Sequence, residues 1–79
     1  VPAVAAPSDA AVAAARRTID VQNALNLSGY GPVPADGMLN DDTVNAIRRF
    51  ELDNGMPITG RIGDGLINRL VAVGAITPG

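Results

Sequence analysis

Three glycines, Gly29, Gly55 and Gly74, each stand just past a run of helically spaced apolar residues, and they set the scale of what this chain can fold into. Val21, Ala24, Leu25 and Ser28 form one stripe before Gly29. Thr43, Ala46, Ile47 and Phe50 form a second before Gly55, and Leu66, Ile67, Leu70 and Val71 a third before Gly74. Spacing of three and four residues keeps such groups on one helix face. A glycine after the last of them stops a helix, because it enters the left-handed region without a Cβ clash. Asn54-Gly55 is also a hairpin signal, but the residues before it keep a 3.6 period, which favours a helix end. The pattern predicts an all-α chain, a compact three-helix bundle with short extended connections.

The helix starts are read from capping chemistry. Asn40 caps the second helix, and Asp41 and Asp42 place negative charge in its first turn, where the helix dipole favours it. The third helix is expected from about Asp64 to Val73. The first has two candidate starts. Ser8 or Asp9 can cap the alanine-rich stretch 10 to 15, which has high helix propensity but little apolar bulk; Thr18 can cap a shorter helix with Asp20 in its first turn. The sequence leaves the start near Asp9 or near Ile19.

Between the first two helices, residues 30 to 36 hold Gly31, Pro32 and Pro34 and read as a loop. Between the last two, Met56, Ile58 and Ile62 alternate around Gly60 as a short extended connection. A faint repeat links these regions: Gly37, Leu39, Asp41, Val44, Asn45 and Ile47 recur 23 residues on as Gly60, Ile62, Asp64, Ile67, Asn68 and Leu70. Each copy is a glycine turn, a tucked apolar residue, an acidic helix start and an apolar stripe; two copies are too few for a solenoid. Residues 1 to 7, rich in Pro and Ala, read as the end of a disordered interdomain linker, and residues 8 to 79 as one domain. The core is expected from Leu25, Ile47, Phe50, Ile58, Ile62, Ile67 and Leu70.

Composition narrows the chemistry. The chain has 79 residues and neither cysteine nor histidine, so it lacks disulfides, thiolate ligands and the commonest general base and metal ligand. No metal, no cofactor and no catalytic residues are expected, and the chain is not expected to be an enzyme. A net charge of -2 argues against nucleic acid or an anionic membrane surface as partner. No run approaches the roughly 20 apolar residues of a membrane span. The first residues lack the basic segment of a signal peptide and include Pro2, and there is no initiator Met, so the chain reads as a piece of a longer protein. All six basic residues are Arg, as base-composition bias would produce, though Arg also suits bidentate contact with carboxylates.

Glu51 and Asp53 are the nearest approach to a catalytic pair, but residues two apart on a helix face different ways, and both are expected on a solvated surface. The segment 51 to 55 fails as a calcium loop, since its Gly falls one place early and Ile62 stands where a Glu is needed. Asn26-Leu27-Ser28 fits the glycosylation pattern by chance inside a helix. Asp41 and Asp42 are helix-start residues rather than metal ligands.

In order and spacing, these fragments resemble the peptidoglycan-binding domain family, over residues 19 to 71. Val21-Gln22, Leu25-Asn26 and Gly29-Tyr30 are similar to the family's Leu-Gln, Leu and Gly-Tyr first helix. Asp36-Gly37 with Thr43, Ala46-Ile47 and Phe50 is similar to its Asp-Gly, Thr, Ala-Val and Phe-Gln segment. Gly55-Met56-Pro57-Ile58-Thr59-Gly60 resembles its Gly-Leu and Thr-Gly stretch, and Leu70 its closing leucine. The chain departs from the pattern at Leu39-Asn40 for Phe-Gly, at Glu51 for Gln, and at Leu66 for Thr. The resemblance implies a non-catalytic, monomeric module that anchors a larger envelope protein or cell-wall enzyme to peptidoglycan, through its glycan strand or its stem peptide. It also implies other domains of a parent protein as partners, no membrane insertion, and a periplasmic or extracellular place in the bacterial envelope. The alternative is a structural or protein-interaction domain of the same fold without glycan affinity. The loop 30 to 37 offers a shallow groove beside helix ends, with Tyr30, Gly31, Asp36 and Gly37 as candidate ligand contacts and Arg48 as partner for a stem-peptide carboxylate. Two of these have structural readings too: Asp36 closing the turn before Gly37, and Tyr30 packing against the first helix.

Overall fold

The computed structural model describes residues 8 to 77; the linker expected at residues 1 to 7 lies outside them. Three helices follow one another, α1 Asp9–Leu27, α2 Asp41–Asp53 and α3 Asp64–Ala72, and α1 packs against both others. Among the described residues there is no strand.

Both candidate starts of α1 have a physical counterpart. The helix begins at Asp9, where the Ser8 hydroxyl accepts from Ala11 N at 3.1 Å. Thr18 is no cap; its hydroxyl donates back to the Ala14 carbonyl at 3.0 Å inside the helix. Yet residues 9 to 17 are all exposed, and burial in α1 begins only at Thr18, with Val21, Gln22, Ala24 and Leu25 buried. Alanine propensity and a good cap extend the helix about two turns beyond its buried part.

Each helix ends in the same way. Gly29, Gly55 and Gly74 have φ of 86°, 66° and 82°. The residue after each closes a six-residue loop: Tyr30 N donates to Leu25 O at 2.8 Å, Met56 N to Glu51 O at 2.9 Å, and Ala75 N to Leu70 O at 2.9 Å. The glycine N–H reaches the carbonyl three residues before it, so two orphan carbonyls per helix are satisfied.

The core consists of Val21, Ala24, Leu25, Val33, Ala46, Ile47, Phe50, Leu66 and Leu70, with Ile62 and Ile67 half-buried against it. Ile58, expected inside, is 54% exposed. Its neighbours Thr59 and Gly60 are drawn by their N–H groups toward α2, which leaves the Ile58 side chain on the outside. The repeat survives in three dimensions. Gly37 and Gly60, with φ of 80° and 68°, each stand four residues before a helix start, and Ile47 and Leu70 are both fully buried. It fails at the second position, since Ile62 is half-buried whereas Leu39 is 51% exposed.

Candidate functional site

Two buried polar side chains organise the connections. Gln22 is completely buried, and its Oε1 accepts from Gly37 N at 2.9 Å. Its amide nitrogen donates toward Met38 O at 2.8 Å, Thr43 Oγ1 at 3.1 Å and Asp36 Oδ1 at 3.3 Å, three acceptors sharing two hydrogens. Glu51 is only 2% exposed, which corrects the expectation of a solvated carboxylate. Its Oε1 accepts from Thr59 N at 2.9 Å and Gly60 N at 2.8 Å, and its Oε2 from the Thr59 hydroxyl at 2.8 Å. A carboxylate tolerates burial when donors converge on it, and here the chain returning after Gly55 brings three. Asp53 does stay exposed, so the two carboxylates diverge.

Tyr30 sets its ring edge-on to Phe50, with centroids 5.5 Å apart and planes at 78°. Its aromatic partner is therefore on α2, and Tyr30 also lies against the core to which α1 contributes Val21, Ala24 and Leu25. Its hydroxyl donates to Asp53 at 2.8 Å, and that bond to a carboxylate, with smaller effects of burial and the Asp53 charge, raises the phenol above its ordinary pKa of 10 against the opposing pull of Arg49. Gly31 is half-buried where the chain runs against Asn26, and a Cβ there would collide with the Asn26 side chain. Asn26 takes Val33 N at 2.8 Å and gives to Val33 O at 2.9 Å, so the amide of the glycosylation-like triplet clamps the loop. Asp36 Oδ1 accepts from Met38 N at 2.9 Å and closes the turn around Gly37.

The structure thus joins Asp36 to Gly37 and Tyr30 to Gly31, at opposite ends of the 30 to 37 loop. Arg48 stands apart: its side chain lies over Gly60, in the next connection. Arg48 and Phe50 are two positions apart, about 200° around a helix, so Arg48 leaves α2 on a different side from the ring that Tyr30 meets.

Among the described residues, the three best-formed concavities are lined by none of Tyr30, Gly31, Asp36, Gly37 or Arg48. One, of about 380 Å³, runs between the 56 to 63 connection and the first turn of α3, walled by Glu51, Met56, Pro57, Arg61, Ile62 and Leu66 among others. A second, of about 360 Å³, lies between α1 at Arg16 and Arg17 and the apolar Ile67 and Ile76. The third, of about 270 Å³, adjoins it at Asn23 and Ala75. Among the described residues no group of three or more acidic side chains converges as a metal site would need, and no helix is long and apolar enough to cross a membrane.

Residues 16–70 match the family model described as a peptidoglycan binding domain. The chain belongs to that family. Neither the curated proteins nor the solved structures give a match. The peptidoglycan binding domain unit begins close to where α1 starts to pack and ends at Leu70, the last buried leucine. The exposed first turns of α1 and the segment after α3 lie outside it. Within the unit, the two residues that reach across to the connections, Gln22 and Glu51, are absent from the sequence-derived candidates. Their signal is the parallel between Val21-Gln22 and Phe50-Glu51: a buried apolar residue followed by a long side chain ending in a carbonyl oxygen.

Proposed function

We propose that this peptidoglycan binding domain is a non-catalytic module that holds a larger envelope protein on the bacterial wall, acting as a monomer on the periplasmic or extracellular side. The observation that carries this reading is the family match across residues 16–70, which takes in all of the buried core. The site chemistry supports it. Glu51 spends both carboxylate oxygens on Thr59 and Gly60, and Asp53 accepts from Tyr30, so neither is poised as an acid or base aimed at a shared substrate bond. Weak single-site binding is enough for an anchor, since a polymeric wall offers many sites and a tethered partner stays at high effective concentration.

A reporter enzyme fused to this chain tests the anchoring role. The fusion is expected to remain on washed insoluble peptidoglycan while the unfused reporter is removed, with no soluble wall fragments released during incubation. A fusion that washes off as readily as the reporter would instead favour a structural domain without wall affinity.

A further inference from the structure

The 380 Å³ groove beside α3 has a lining that selects among the components of the wall. Met56, Pro57, Ile62 and Leu66 make most of its surface apolar. Neither aromatic ring of the chain takes part, because Tyr30 and Phe50 pack on each other elsewhere. A sugar ring therefore finds no stacking platform in the groove, whereas small aliphatic side chains find contacts of their own kind.

Two charged residues line it. Glu51 is buried and its charge is met by three donors, so it is committed to holding the connection. Arg61 is exposed and is the one charged side chain the groove presents to solvent. A second guanidinium, Arg48, lies against Gly60, one residue before Arg61. Guanidinium beside an apolar trough is complementary to a short peptide that carries a free carboxylate and small side chains. We infer that this groove receives the carboxylate-bearing stem peptide of peptidoglycan, with Arg61 on the carboxylate and the apolar wall on the alanyl methyls. The inference rests on the wall-binding reading and adds to it the part of the polymer that is recognised.

Backbone amide shifts of the isotope-labelled chain test it with three probes: a synthetic stem pentapeptide with free carboxylates, the same peptide with its carboxylates amidated, and a chitotetraose that supplies sugars alone. The free acid is expected to shift amides between residues 56 and 66, and amidation to weaken binding about tenfold, as loss of a charge-assisted hydrogen bond would. R61A should show a similar loss with an unchanged melting curve, because the side chain is exposed, and R61K an intermediate one, since Lys keeps the charge but not the fork. Shifts confined to residues 30 to 37, undiminished binding by R61A, or equal shifts from the chitotetraose would overturn the groove assignment. Sedimentation of the wild-type chain with intact peptidoglycan separates the two levels. A chain that sediments while its groove ignores the peptide loses only the groove assignment; a chain that does not sediment loses the wall-binding reading.

Discussion

Before α2, Gln22 reaches from α1 and takes the N–H of Gly37; before α3, Glu51 reaches from α2 and takes the N–H of Gly60. The geometry is shared and the chemistry is not. An amide both gives and accepts, so the first turn surrounds Gln22 with acceptors, the Asp36 carboxylate, the Met38 carbonyl and the Thr43 hydroxyl, alongside the single donor at Gly37. A carboxylate only accepts, so the second turn supplies donors alone, and Thr59 stands where the first turn has Asp36. The residue before each glycine is thus matched to the side chain that reaches it. The first connection is closed by this network and by Asn26, while the second leaves a groove and an exposed guanidinium at its side.

The largest effect comes from removing what both turns rest on. Phe50→Ala is expected to cost about 3 to 5 kcal/mol, comparable to the whole stability of so small a domain, and hydrogen exchange should show protection lost at Gly37 and Gly60 together. If one turn stayed protected, the two would not share a core.

Next come the exchanges, which should be unequal. Gln22→Glu removes both amide hydrogens and sets a buried carboxylate beside that of Asp36, at an expected cost of about 3 kcal/mol in denaturant unfolding. Glu51→Gln should cost only about 1 kcal/mol, because an amide can keep the two backbone N–H groups on its oxygen and turn its NH2 to the Thr59 hydroxyl. The family's usual Gln after Phe fits that tolerance. Equal costs would mean that the donor and acceptor matching of the two turns does not matter.

These turns also show where sequence reading reached and where it stopped. The helix stops, the Asn40 cap, confirmed by its acceptance from Thr43 N at 2.9 Å, and the inner face of α2 were legible, because each rests on a local pattern. The burial of Glu51 was not. Its partners are backbone N–H groups eight and nine residues away, which no side-chain pattern announces, and a charge by default belongs on the surface. Ile58 misled for the same reason, as its alternation with Met56 and Ile62 looked like a buried run until the Glu51 contacts turned it outward. At the candidate site, Gly31 and Gly37 stood out as glycines of a binding loop, and the structure adds a local role for each, close approach to Asn26 and a positive φ. Arg61 carried no signal, since a single arginine in a short connection becomes a feature only when the groove forms around it.

The smallest effect separates the loop end from the buried networks. Tyr30 is the only tyrosine, so absorbance near 295 nm follows it alone, and its midpoint should lie above 10 because the Asp53 hydrogen bond favours the neutral phenol. Asp53→Asn should bring the midpoint down. The stabilisation from this bond is present below pH 10 and fades as pH rises through the raised pKa, with little change in the protection of Gly37 or Gly60. Loss of those amides as Tyr30 ionises would mean that the surface bond and the buried turns are one network.

Depletion of the purified chain from solution by insoluble peptidoglycan, set against chitin across a concentration series, tests the central claim of wall recognition most directly. Chitin presents N-acetylated sugars without stem peptides. Recognition of peptidoglycan through its peptide predicts saturable depletion by the wall and none by chitin. Equal depletion by both would show that the sugars suffice, and depletion by neither would contradict wall binding altogether.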